Sequence, residues 1–125
     1  MTKKKALVCD DDRPLQEILS HILARTGFSV LLADDGEKGL ASIAEHSPAL
    51  VILDMEMPRK DGLQLLKDLR EKGDPAPYII MLTSHESTEK RDLALGLGAA
   101  EVMIKPFNAA ALIKKIEGLI LQGKV

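Results

Sequence analysis

The sequence predicts an α/β fold of the doubly wound kind, a five-stranded parallel sheet with helices on both faces. Three observations predict it. Short aliphatic runs alternate strictly with stretches whose apolar residues recur at helical spacing. The middle run, Leu50-Val51-Ile52-Leu53, is apolar at every position, as expected of a strand covered on both faces. That run ends abruptly in Asp54, ahead of a loop marked by Pro58 and Gly62.

Taken in order, Ala6-Leu7-Val8-Cys9 is the first strand, and Asp10-Asp11-Asp12 closes it. Leu15, Ile18, Leu19, Ile22 and Leu23 then share one helical stripe, entered through Asp12-Arg13-Pro14 and stopped at Gly27. Phe28 to Leu32 repeats the strand signal. Gly36 to Glu45 repeats the helix, with Leu40, Ile43 and Ala44 inward before Ser47-Pro48 breaks it. The Leu50 run supplies strand three, and Leu65, Leu66 and Leu69 supply the inner face of a helix that ends near Gly73, ahead of Pro75 and Pro77. Tyr78 to Leu82 is strand four, ending in Thr83-Ser84. The next helix, from about Ser87, carries Leu93 and Leu97 but also Gly96 and Gly98, which makes it the least stable of the five. Val102-Met103-Ile104 is strand five, ended by Lys105-Pro106, and Asn108 caps a last helix with Leu112, Ile113, Ile116, Leu119 and Ile120 inward. Right-handed crossovers then favour the strand order 2-1-3-4-5, the flavodoxin-like (βα)5 arrangement. Strands one and three are neighbours in that order, so Asp10, Asp11 and Asp54 converge at the carboxyl edge of the sheet. Thr83 and Lys105 end the next two strands on the same edge.

At 125 residues the chain is of a length for one domain, expected to span residues 1–125. A hydrophobic share of 46% with 29% charged residues suits a globular protein, and no apolar run reaches membrane-spanning length. The start, Met1 to Lys5, is too short a lead before Asp10 to be a secretory signal, so a cytoplasmic location is expected. Cys9 is the single cysteine, which excludes an internal disulfide, and its apolar neighbours mark it as a buried small hydrophobe. A net charge of -2, no Trp, and Tyr78, Phe28 and Phe107 as the aromatics argue against direct nucleic-acid binding. Lys3-Lys4-Lys5 reads as a solvated lead-in. His21 and His46 read as surface residues without a metal partner at helical spacing, and Met81 and Met103 as strand interior.

Three carboxylates brought together repel one another, and without compensation at least one must hold a proton. A divalent cation resolves this. All-oxygen ligands select a hard ion, and a partly open site that keeps several waters suits Mg²⁺. With the Lys105 ammonium the charges then cancel, and such a site can receive a phosphoryl group. Metal and ammonium could each hold an oxygen of the anion, Thr83 could donate to another, and Asp54 could attack phosphorus in line.

These residues carry a resemblance. A strand ending in Asp10-Asp11, one ending in Asp54 followed by Met57-Pro58 and Asp61-Gly62, one ending in Thr83-Ser84, and then Lys105-Pro106-Phe107 together resemble the receiver domain of two-component response regulators, over about residues 4 to 122. The resemblance implies that Asp54 is the phosphoacceptor for a histidine kinase or histidine phosphotransfer partner. It implies that Asp11 and Asp54 ligate Mg²⁺ directly with the Glu56 backbone carbonyl, and that Asp10 acts through a metal-bound water. Thr83, with Ser84 beside it, would be the switch hydroxyl, Lys105 the phosphoryl-pairing lysine, and the Lys105–Pro106 peptide cis. An output partner or domain would dock on helix four, strand five and helix five.

Three positions bear on how such a site is tuned. Val102 stands where many receivers carry an aromatic that turns inward, and a β-branched residue cannot make that swing, so any switch runs through Thr83 and its loop. Glu56 and His85 each sit two residues past a key residue. Either Glu56 pairs with a protonated His85 and partly covers the site, or both are solvated loop side chains. Two other functions compete. A haloacid dehalogenase-like phosphatase would use Asp10, Asp12, Thr83 and Lys105, but leaves Asp54 without a task and lacks a further acidic motif beyond the lysine. A phosphorylation-independent interaction module needs none of this chemistry, yet the acceptor and the acidic pair are both present.

Overall fold

The computed structural model describes residues 3–73 and 75–125, so Met1 and Thr2, ahead of the lysine lead-in, lie outside the described residues. Ten elements alternate: β1 (Lys5–Cys9), α1 (Arg13–Arg25), β2 (Ser29–Ala33), α2 (Gly36–His46), β3 (Leu50–Asp54), α3 (Gly62–Lys72), β4 (Tyr78–Thr83), α4 (Thr88–Gly96), β5 (Glu101–Ile104) and α5 (Ala109–Leu121). The strands form one parallel sheet in the order β2-β1-β3-β4-β5. This is the expected flavodoxin-like topology.

Period-two alternation along each strand divides the core into two layers. Ala6, Val8, Leu50, Ile52, Ile80 and Leu82 join Leu19, Ile22 and Leu23 of α1 and Leu112, Ile116 and Leu119 of α5 on one face. Leu7, Cys9, Val51, Leu53, Ile79 and Met81 join Ile43 of α2, Leu65 and Leu66 of α3 and Ala94 of α4 on the other. Every residue of β3 is buried, as the middle of a sheet covered on both faces requires.

Each helix begins at a side chain that accepts a hydrogen bond from a backbone N–H of its own first turn: Asp12, Asp35, Asp61, Ser87 and Asn108. Gly73 ends α3 in the left-handed conformation at φ +73°.

Several inward assignments need correction. Ile18 is 49% exposed at the edge of the α1 stripe, because the helix packs on the sheet through Leu19, Ile22 and Leu23, with Leu15 partly buried beside them. Ala44 of α2 faces solvent, and its place against the sheet is taken by Gly39, close to Cys9. Ile120 is 39% exposed near the end of α5. Leu93 of α4 points outward while Ala94 is the buried residue, since a helix of nine residues meets β5, itself four residues long, over a narrow front. β2 starts at Ser29, with Phe28 buried just ahead of it as part of the core. No helix among the described residues is long and apolar enough to cross a membrane.

Candidate functional site

The alternation that builds the core also builds the site. Ala6 and Val8 point to the α1/α5 layer, and Asp10 continues their register; Leu50 and Ile52 do the same ahead of Asp54, and Met103 ahead of Lys105. The ladder continues one residue past β1, where Asp10 N donates to Ala33 O at 3.0 Å, and one past β3 and β5, where Met55 N meets Leu82 O and Lys105 N meets Thr83 O, each at 2.8 Å. The polar side chains are thus set by sheet backbone rather than by free loops.

Asp10 and Asp54 are buried, at 1% and 4% exposure, while Asp11 is open to solvent. Oxygens of all three carboxylates lie within 4.8 Å of one another. Lys105 Nζ sits 3.2 Å from Asp10 Oδ2 and 3.3 Å from Asp54 Oδ1. The remaining Asp10 oxygen accepts from Asp12 N at 2.9 Å, and Gln16 Nε2 donates to the Asp10 carbonyl at 2.5 Å. Asp54 Oδ1 also accepts from Glu56 N at 3.3 Å, which leaves Oδ2 without a hydrogen bond among the described residues.

Burial, and then the neighbouring Asp10 carboxylate, push the Asp54 pKa up to about 7, against the pull of Lys105 and the Glu56 N–H. Burial alone would lower the Lys105 pKa, but Asp10 and Asp54 outweigh it and the ammonium is held more firmly. One ammonium against three clustered carboxylates leaves a negative excess. An all-oxygen donor set with one exposed member fits a hard divalent cation, and the cluster is able to hold one.

Thr83 continues the register of Ile79 and Met81 and so belongs to the opposite layer from Asp54. Its buried hydroxyl donates to Glu56 Oε1 at 2.7 Å and accepts from His85 N at 3.1 Å. Of the two alternatives for Glu56 and His85, the ion pair is not formed among the described residues, and Glu56 is not simply solvated either. The Glu56 carboxylate instead satisfies a buried hydroxyl, the imidazole stays in solvent, and His85 contributes through its backbone. Val102 is half-buried and, with Met55, Thr83, His85 and Ile104, lines a cavity of about 290 Å³ where the chain carries no aromatic. Ser84 is exposed and borders a separate apolar groove beside Ile18, Lys105 and Phe107. The Lys105–Pro106 peptide is cis.

Asp12, which the phosphatase alternative needs beside Asp10, instead caps α1 through Leu15 N. Burial first, and nearby Asp10 second, push the Cys9 thiol up to about 12, so it remains an inert core group.

Four positions hold the site in place in ways that sequence reasoning did not assign, Gly62 and Gly36 having been read only as loop and helix markers. A Cβ on Gly62 would lie 2.6 Å from the Asp54 carbonyl oxygen, and one on Gly36 would lie 1.8 Å from that of Lys60. Buried Asp35 caps α2 and pairs with Arg59 across the loop after Asp54. Gln16 is the fourth. Two signals were available, the Asp35-Gly36 and Asp61-Gly62 pairs, in each of which the aspartate caps a helix and the glycine admits another backbone. Gln16 carried no signal.

A sequence model described as the response regulator receiver domain matches residues 6–117. Response regulator MprA of Mycobacterium sp. (strain KMS) is 40% identical over 116 residues, which cover 93% of this chain and 50% of that protein. The chain thus spans about half the length of the curated relatives it matches. The Francisella response regulator 1452 receiver domain superposes with a TM-score of 0.86 at 29% identity, covering 96% of this chain and 98% of that one. The CheX-CheY-BeF3-Mg²⁺ complex from Borrelia burgdorferi matches with a TM-score of 0.84 at 25% identity over 94% of this chain and 89% of that one.

Proposed function

The chain belongs to the response regulator receiver family, and from that premise we propose that Asp54 accepts a phosphoryl group from a histidine kinase or histidine phosphotransfer protein, with Mg²⁺ held by Asp10, Asp11 and Asp54. The observation that carries this reading is the arrangement of Asp54: buried, ion-paired through Oδ1 to Lys105, and, among the described residues, free of hydrogen bonds at Oδ2. Lys105 and the Glu56 N–H orient the carboxylate, so that Oδ2 faces the incoming phosphorus. The Oδ2–P bond forms as the donor's N–P bond breaks, and the electron pair leaves with the imidazole nitrogen. Lys105 then pairs with a phosphoryl oxygen and Thr83 donates to another. When bound, the cation supplies the positive charge that keeps Asp54 ionised and offsets charge on the transferring group. Mg²⁺ fits better than Ca²⁺ because exposed Asp11 leaves an open, water-accessible side rather than a protein cage. The Borrelia relative's complex holds both Mg²⁺ and a beryllofluoride, which supports the same chemistry here.

In this reading residues 1–125 are one receiver domain, a signalling unit rather than an enzyme acting on a separate substrate, which promotes the gain and hydrolysis of its own aspartyl phosphate in the cytoplasm. Downstream contact runs through α4, β5 and α5, which carry the exposed apolar side chains Leu93, Leu95, Ile104 and Ile120, with no direct role for nucleic acid or membrane. Mg²⁺ and a small acyl-phosphate donor test the assignment by intact mass. The wild type gains one phosphoryl group, Asp54→Asn gains none, and Asp10→Asn still gains one, more slowly. Uptake that survives Asp54→Asn and disappears in Asp10→Asn would point to the phosphatase chemistry instead.

A further inference from the structure

A hydroxyl has one proton to donate, and Thr83 has already committed its own. Oγ1 donates to Glu56 Oε1 at 2.7 Å, far nearer than the other acceptor within reach, the His85 carbonyl at 3.5 Å, and the His85 N–H, at 3.1 Å, occupies an acceptor position on the same oxygen. Thr83 is 3% exposed, so water offers little alternative for that proton. The partner is a carboxylate, which makes the bond charge-assisted and stronger than one between neutral groups. Glu56 is also tied to the acceptor itself, since its N–H donates to Asp54 Oδ1 at 3.3 Å. Backbone and side chain of one residue therefore bridge Asp54 on β3 to Thr83 on β4.

We infer that Glu56 acts as an internal stand-in for the phosphoryl oxygen, holding the Thr83 hydroxyl in the unphosphorylated state so that the two anions compete for one donor. The inference rests on the phosphoacceptor reading of Asp54. Thr83 turns to the phosphoryl group only after Glu56 lets go, and the Glu56 carboxylate then moves outward from a site gaining negative charge. Glu56 is thus a positioning residue that sets the threshold for the rearrangement, with no part in bond making. His85 serves through its main chain, which pins Thr83 Oγ1 from the loop side, so its imidazole is dispensable for the competition.

The test is a double-mutant cycle read by Mg²⁺-dependent beryllofluoride binding, followed by NMR in wild type, Glu56→Ala, Thr83→Ala and the double variant. Glu56→Ala is expected to tighten binding about tenfold in the presence of Thr83, the scale of one charge-assisted hydrogen bond released, and less than twofold in the Thr83→Ala background. Glu56→Gln falls between, because its amide oxygen still accepts from Thr83 without the charge. His85→Ala leaves the affinity within twofold of wild type. Equal tightening in both backgrounds would overturn the competition in favour of simple charge repulsion by Glu56, and no tightening in either would overturn it outright. A wild type that binds no beryllofluoride at all would instead fell the phosphoacceptor reading, and this inference with it.

Discussion

Helices α1 and α4 follow the strands that lead to Asp10 and Thr83, yet they hold to the sheet in different ways. α1 buries Leu19, Ile22 and Leu23 over thirteen residues, and Gln16 ties its first turn to the Asp10 carbonyl. α4 has nine residues, buries Ala94 alone, and leaves Leu93 and Leu95 in solvent. The acidic half of the site is therefore mounted on rigid elements, with Asp10, Asp54 and Lys105 locked by sheet register and ion pairs. The hydroxyl half, Thr83 with Glu56 and His85, opens onto a loosely attached helix and a cavity of about 290 Å³. Chemistry that needs fixed distances sits on the first, and rearrangement is cheapest on the second.

The largest test of that contrast is a pair of truncations. Leu23→Ala in α1 is expected to cost about 3 kcal/mol in denaturant unfolding, as a fully buried leucine does, whereas Leu93→Ala in α4 costs less than about 0.5 kcal/mol. Similar costs for the two would erase the distinction.

A second test concerns the acidic half. The folded protein holds a proton on Asp54 up to about pH 7, while the unfolded chain gives it up near the ordinary aspartate value of 3.8. The folded state binds more protons in that window, so metal-free wild type loses stability as pH rises from about 4 to about 7. Asp54→Asn flattens this window and is expected to be more stable at pH 8 by on the order of 2 kcal/mol, since part of the gain is offset by Lys105 losing a partner. Saturating Mg²⁺ should likewise remove the slope in the wild type. A slope that persists in Asp54→Asn would assign the proton elsewhere. The smallest effect is dynamic: amide hydrogens of α4 are expected to exchange at least about tenfold faster than those buried in α1, and equal protection would contradict the loose attachment.

Most of this frame was legible in the sequence because it depends on periodicity. Leu50 to Leu53 read as a strand covered on both faces, and strict alternation favoured the doubly wound order that brings Asp10, Asp11 and Asp54 together. The weakness of α4 was also visible, through Gly96 and Gly98, although its buried residue proved to be Ala94 rather than Leu93. Side-chain partners were harder. The position of Glu56 two residues past Asp54 marked it as close to the site, but its choice of Thr83 over His85 depends on a buried donor needing an acceptor, which no spacing reveals. Ile18, Ala44 and Ile120 lie at the edges of apolar stripes, where burial depends on how far the facing element extends and not on the helix's own pattern.

In the proposed reading Asp54 receives the phosphoryl group in a rigid acidic pocket, and the response leaves through Thr83 and α4. Saturating the protein with Mg²⁺ and beryllofluoride and mapping backbone amide shifts tests it most directly. Large shifts are predicted at Asp54 to Met57, from Thr83 through α4, and in β5 to Lys105, with the buried side of α1 nearly still. No response at Asp54, or shifts concentrated in α1 with α4 unmoved, would contradict it.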